Sequence, residues 1–287
     1  KNTGVEKINN INVPDTSANK DAAKKAIDQA AQTKDAAIDK SNLTDDEKAD
    51  LKKQVSDAAN EAKGNIDAAT KDADVESAKN TGVEKINNIN VPDTSANKDA
   101  AKKAIDQAAQ TKDDAIDKSN LTDEEKDTLK QTVAGEVNKA KAAIDGATKD
   151  ADVESAKNTG VGKINNINVP TTSATKDAAK KAIAQATQTK DAAIDASNLT
   201  DEEKADLKKQ VAGEVQKANA AIDAAKKADD VTTAKNTGVG KINQVNVPET
   251  SATKDAARQA IDQAAQAKND AIEKSNLTDE EKAALKQ

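Results

Sequence analysis

Apolar residues recur along this chain at helical spacing, set among charged and amide side chains. From Leu51 the apolar positions are Leu51, Val55, Ala59, Ala62, Ile66 and Ala69, stepping by four, four, three, four and three. That spacing puts them on one stripe and predicts a helix from about residue 45 to 70. Upstream, Ile27 and Ile38, with Ala23, Ala30, Ala31 and Ala37, predict a helix over about 17–40. Downstream, Val75, Ala78, Gly82, Ile86 and Ile89 predict a third over about 75–89. The segment INVPDTS then breaks the pattern. Pro92 has no amide hydrogen and biases Val91 toward extended geometry. These three segments are termed helices A, B and C.

The set repeats. Pro14, Pro92, Pro170 and Pro248 are the only prolines and stand 78 residues apart, and residues 1–35 are identical to 79–113. Ile27, Ile38, Leu51, Val55, Ile66, Val75 and Ile86 keep their residue type in every complete copy. Outward positions drift, as where Lys40 becomes Lys118 and then Ala196, and Asp28 becomes Asp106 and then Ala184. Packed stripes with solvated backs behave this way. The expected division is 1–13 (helix C of an upstream copy), 14–91, 92–169 and 170–247 (three-helix repeats), and 248–287 (helix A and the start of helix B). The chain begins and stops within a repeat and is expected to be a piece of something longer.

The stretch SNLTDDEKADLKKQV, at Ser41, returns at Ser119, Ser197 and Ser275 with small changes. Thr44 followed by Glu47 is a capping-box pattern: the hydroxyl accepts from a first-turn amide, and the carboxylate reaches back to the amide of the threonine. Thr122/Glu125, Thr200/Glu203 and Thr278/Glu281 repeat it, and all four pairs are expected to be structural helix caps. Asp45 and Asp46 add negative charge where the helix dipole favours it, and Leu43 is placed to staple the first turn. The recurring glycine at Gly4, Gly82, Gly160 and Gly238 suggests close backbone contact, a kink or an early helix end. Three helices per repeat make an up-down-up bundle, entered at one end and left at the other. The expected fold is therefore all-α, tandem three-helix bundles joined end to end into an elongated rod, about 40 Å per repeat and very roughly 150 Å in all.

Composition limits what such a rod can do. Cys, His, Met, Phe, Trp and Tyr are absent from the 287 residues, charged residues make up 33%, and the net charge is −7. Low hydrophobicity with high charge also describes disordered chains, but the recurring stripes argue for folding. Without His, Cys or Tyr, proton transfer and thiol chemistry lack their usual groups, so no enzyme and no cofactor are expected. A basic face and stacking aromatics are missing, so nucleic acid is not an expected partner; no apolar run is long enough to insert in a membrane. Asp72, Asp74 and Glu76 lack the glycine turn and oxygen spacing of a calcium loop, and Asp74 reads instead as the cap of helix C. The GVGKI segments at Gly160 and Gly238 lack the spacing and the preceding strand of a phosphate loop. Asn42–Leu43–Thr44 is formally a glycosylation sequon, but its threonine reads as a cap. Only one arginine, Arg258, and no aromatic is available to anchor a protein interface.

The order AKKAIDQAAQTKDAAID (from Ala23), SNLTDDEKADLKKQV and IDAATKDADVESAKNTGV (from Ile66) resembles the repeated three-helix module of giant cell-wall-anchored surface proteins of Gram-positive bacteria, catalogued as a domain of unknown function. The resemblance covers the whole chain. It implies a structural stalk of a matrix-binding or biofilm-associated adhesin, extracellular and wall-anchored, projecting a distal binding domain. The alternative it leaves is a repeated low-affinity adhesion module for host extracellular protein or for cell–cell aggregation. Weak contact with host proteins or neighbouring rods is compatible with either, and the chain is expected to be a monomer in solution. No ligand-binding residues carry over.

Overall fold

The computed structural model describes residues 2–12 and 17–286, the side chain of Asn2 excepted; Pro14 lies outside the described residues. The described residues form twelve α-helices and no strand. The chain splits into two compact units, Lys1–Asp114 with Gln131–Ile167, and Ala115–Lys130 with Asn168–Gln287.

The first unit contains α1 (Asn2–Asn9), α2 (Ala18–Asp39), α3 (Asp45–Ala68), α4 (Asp72–Asn87), most of α5 (Ala96–Lys118), the latter part of α6 (Asp123–Gly146), and α7 (Asp150–Asn165). Helices α2, α3 and α4 close on one another around Ile27, Ile38, Val55, Ile66, Val75 and Ile86, all buried. Leu51, Ala30 and Ala31 are half-buried against this core. The second unit repeats the arrangement with α8 (Ala174–Ala196), α9 (Asp201–Ala224) and α10 (Ala228–Gln244) around Ile183, Ile194, Val211, Ile222, Val231 and Ile242. It ends in α11 (Ala252–Glu273) and α12 (Asp279–Lys286).

The recurring glycine is a close-contact residue. A methyl group added to Gly82 would collide with the Ala62 methyl and come within 2.8 Å of Ile27 Cδ1. Gly160 meets Ala140 and Ile105, and Gly238 meets Ala218 and Ile183, in the same way. Neither kink nor helix end explains these residues, because each lies inside a continuous helix. An alanine on helix B and a glycine on helix C let the two axes approach closely, so a core with no aromatic side chain still fills its space.

Three local expectations are corrected. Helix C runs Asp72–Asn87, earlier at both ends than its apolar pattern suggests. Asp74 is therefore its third residue and not its cap. The amides of Asp74 and Val75 both donate to the Lys71 carbonyl, at 3.0 and 3.1 Å, so the turn has already begun. An aspartate is as favourable inside that first turn as before it, because the dipole acts on the whole turn. Ile89 lies past the helix but still packs on the core. Ala37 is exposed; the position that keeps the stripe is Lys34.

Candidate functional site: the junction between repeats

The four acidic stretches form the same local structure. Thr44 has extended backbone and accepts at Oγ1 from the Glu47 amide at 3.2 Å, while its own amide donates to Glu47 Oε2 at 2.9 Å. The reciprocal pair recurs at Thr122/Glu125, Thr200/Glu203 and Thr278/Glu281, with the threonine amide 2.9 Å from the carboxylate in each. Each box satisfies first-turn donors that have no partner within the helix.

The first three turns also cap the following repeat. The second carboxylate oxygen of Glu47 accepts from the Asn97 amide, at the start of α5, at 3.4 Å. Glu125 Oε1 accepts from both the amide and the hydroxyl of Thr175 at 3.1 Å, and Glu203 Oε1 does so from Thr253, also at 3.1 Å. One residue earlier, Asp46 Oδ2 accepts from the Asp150 amide at 2.9 Å, and Glu124 Oε2 from the Ala228 amide at 3.0 Å. These amides are the first of α7 and α10, helices whose own N-cap residues, Lys149 and Lys227, make no side-chain cap. A backbone bond completes the contact: Asp45 donates to the Thr148 carbonyl at 2.7 Å, and Asp123 to the Lys226 carbonyl at 2.8 Å. In these two stretches, one acidic turn thus serves three helix N-termini: its own, helix A of the next repeat and helix C of the next repeat. Anionic groups at helix starts are favoured by the dipole as well as by the hydrogen bonds.

The four caps differ in cover. Glu47, Glu125 and Glu203 are half-buried, whereas Glu281 and its partner Thr278 are exposed. The physical reason is coverage: among the described residues no later helix A packs beside α12. Glu281 therefore binds the Thr278 amide and caps its own helix, but it is not a junction residue.

Electrostatics follow from the crowd of donors at the junctions. Burial pushes Glu47 up, but the Thr44 amide, the Ser95 hydroxyl and the Asn97 amide outweigh it and hold the carboxyl below its ordinary value. Glu125 behaves likewise, with burial opposed by Thr122, Ser173 and Thr175. For Glu203 the Thr200 amide leads, joined by Ser251 and Thr253, and the pKa falls to about 2. Glu124 is lowered by its own amide and that of Ala228. Pro92, Pro170 and Pro248 lie in the non-helical connectors that carry helix C into the next helix A.

Pattern reading missed the lysines. Lys34, Lys112 and Lys190 each donate to carbonyls at and just past the end of helix C, Lys34 to Asn87 at 2.8 Å and to Ile89 at 2.9 Å. Lys20, Lys98 and Lys176 reach the end of helix B at Asp67, Asp145 and Asp223. Lys48, Lys126 and Lys204 reach the end of helix A at Asp39, Asp117 and Asp195. Each C-terminus of a bundle therefore receives a cation from another helix. The available signal was Lys20 and Lys34 standing at the core period of helix A, the first a turn before Ala23 and the second between Ile27 and Ile38.

Other candidates do not become sites. A cleft of about 460 Å³ at the first junction is lined by charges of both signs, among them Asp45, Lys48, Lys98, Lys102 and Asp145. Glu76 is held by Lys79 and Asn80, and among the described residues no group of three or more acidic side chains could hold a metal. No helix among the described residues is long and apolar enough to cross a membrane.

Comparison with known proteins agrees with the repeat architecture. The profile of the family described as Domain of Unknown Function (DUF1542) matches residues 19–94, 97–172 and 175–250. Extracellular matrix-binding protein ebh of Staphylococcus aureus strain MRSA252 is 31% identical over 270 residues, covering 93% of this chain and 2% of that protein. Extracellular matrix-binding protein EbhA of strain Mu3 is 29% identical over the same length, covering 93% of this chain and 4% of its own. The chain therefore spans only a small part of the relatives it matches. No solved structure matches.

Proposed function

The chain belongs to the DUF1542 family, and on that premise we propose that it is a stretch of stalk from a bacterial surface adhesin: a non-enzymatic spacer of end-to-end bundles that holds a distal binding domain away from the cell wall. The observation that carries this reading is the junction. In both units the first turn of helix B supplies caps to the start of the next repeat, which is how serial modules resist folding back on each other. The relatives named as extracellular matrix-binding proteins support a surface location. Small-angle scattering tests the spacer: serial bundles of this helix length give a maximum dimension of very roughly 150 Å. A particle near ~60 Å, the size of a compact globule, removes the proposal.

The names of those relatives also favour a second reading, in which each repeat is itself a weak adhesion module. Its surface argues for low affinity, because Arg258 is the only residue of the types that usually anchor interfaces. Avidity across many copies is the remaining route to useful binding. Titration of a single repeat against plasma and matrix proteins distinguishes the two, and sub-micromolar binding replaces the spacer reading with this one.

A further inference from the structure

Each junction glutamate divides its two oxygens between two repeats. Glu47 Oε2 accepts from its own cap at Thr44, and Oε1 from Asn97 of the next repeat. Glu125 and Glu203 do the same toward Thr175 and Thr253. From this we infer that Glu47, Glu125 and Glu203 are coupling residues: they set the stiffness of each junction separately from the stability of the bundles it joins.

The argument is one of acceptor counting. All partners of the carboxylate are donors, and backbone amides cannot reverse their role. A carboxylate offers acceptors on both sides; a glutamine offers an acceptor on one side and an NH2 on the other. Glutamine is a normal third residue of a capping box. It therefore serves its own helix and turns a donor toward the next repeat, or the reverse, but cannot serve both. The threonine hydroxyl still accepts from the amide at this position in either case. The bundle cores are built from Ile, Val and Ala, which this exchange does not touch. Asp46 is the matched control. It makes one junction bond, from the Asp150 amide, which an asparagine oxygen can also accept. Glu47→Gln and Asp46→Asn remove the same charge, one residue apart, yet only the first removes an acceptor that the junction needs. This inference rests on junction geometry and stands whether or not the array is a stalk.

The test uses the full chain, which has no cysteine, with spin labels on Asp57→Cys and Lys139→Cys, both exposed and in successive repeats. Pulsed dipolar distance distributions and far-ultraviolet circular dichroism are recorded for the labelled parent, Glu47→Gln and Asp46→Asn. The expected result is a distribution at least twofold broader for Glu47→Gln, unchanged helicity in all three, and parent-like width for Asp46→Asn. Equal widths in all three overturn the inference. So does equal broadening by both variants, which would make charge alone responsible. Loss of helicity in Glu47→Gln in step with the broadening also overturns it, since the residue would then act on its own bundle.

Discussion

The pentapeptide LTDEE occurs at 121–125, 199–203 and 277–281, and the first and last copies fold alike but are covered very differently. Both form the reciprocal threonine–glutamate cap with the same 2.9 Å bond. In the first copy Thr122 is wholly buried and Leu121 is 4% exposed; in the last Leu277 is 38% exposed, and Thr278 and Glu281 lie open. Thr200 falls between them. It has the start of α11 beside it but, among the described residues, no following B–C turn, and it is half-buried. The octapeptide NTGVEKIN makes the same point: Ile86 is fully buried in α4, while its counterpart Ile8 in α1 is 68% exposed. Five or eight residues are enough to define a cap or a helix. They do not define burial, which comes from the helices packed around them: those of its own repeat for Ile86, those of the next repeat for Thr122.

The strongest way to break this comparison is through the glycine. Gly82→Ala pushes a methyl into Ala62 and Ile27, and is expected to cost about 2 to 3 kcal/mol. Gly4→Ala meets nothing within 4 Å, so the same change should stabilise α1 by up to about 1 kcal/mol. Opposite signs in denaturant titrations followed by far-ultraviolet circular dichroism are the expected readout. Next in size is the threonine. Thr122→Ala should cost about 1 to 2 kcal/mol because it removes the cap hydroxyl inside a closed junction, whereas the exposed Thr278→Ala should cost about 0.5 kcal/mol. Equal losses would mean that closure adds nothing to the cap.

Acid sharpens the comparison at the third junction. Glu203 titrates near 2 against an ordinary 4.5, so its contribution is complete above about pH 4.5 and is lost as pH falls toward 2. Asp201, Glu202 and Asp206 on its own helix, and Lys254 and Asp255 on the first turn of α11, are charged groups near it. Labels at Lys217→Cys and Arg258→Cys should report a constant distance width from neutral pH to about 5 and progressive broadening below about 4.5. Broadening already complete at about pH 5 would contradict the depressed value. The smallest effect is expected from the surface ion pairs. Lys63→Ala breaks a 2.5 Å contact with Asp28 and should change stability by about 0.5 kcal/mol or less, because both groups remain partly in water.

What was legible in the sequence was whatever depends on near neighbours. The Ile and Val stripes gave three helices and their core, and the spacing of threonine and glutamate gave the caps. That same spacing made Glu281 look like Glu125, because a local motif carries no record of whether another repeat covers it. The junction was not legible, because its bonds join residues 50 and 104 positions apart and involve amides that carry no side-chain signature. The start of helix C was hidden for the same reason. Its cap in the later repeats comes from Asp46 or Glu124, in a preceding repeat. The lysine caps were visible only as charged residues at core positions, which a pattern of apolar residues passes over.

Because each of the first three acidic turns caps the module that follows it, one module can stand in for another at a junction. The three junctions already accept Asp or Glu as donor-binding groups and Asn or Thr as partners. Recombination that deletes or duplicates one full period therefore joins like to like and leaves no interior helix uncapped. A gene built this way can change its number of modules by whole steps, while a crossover out of register would leave two helix starts bare.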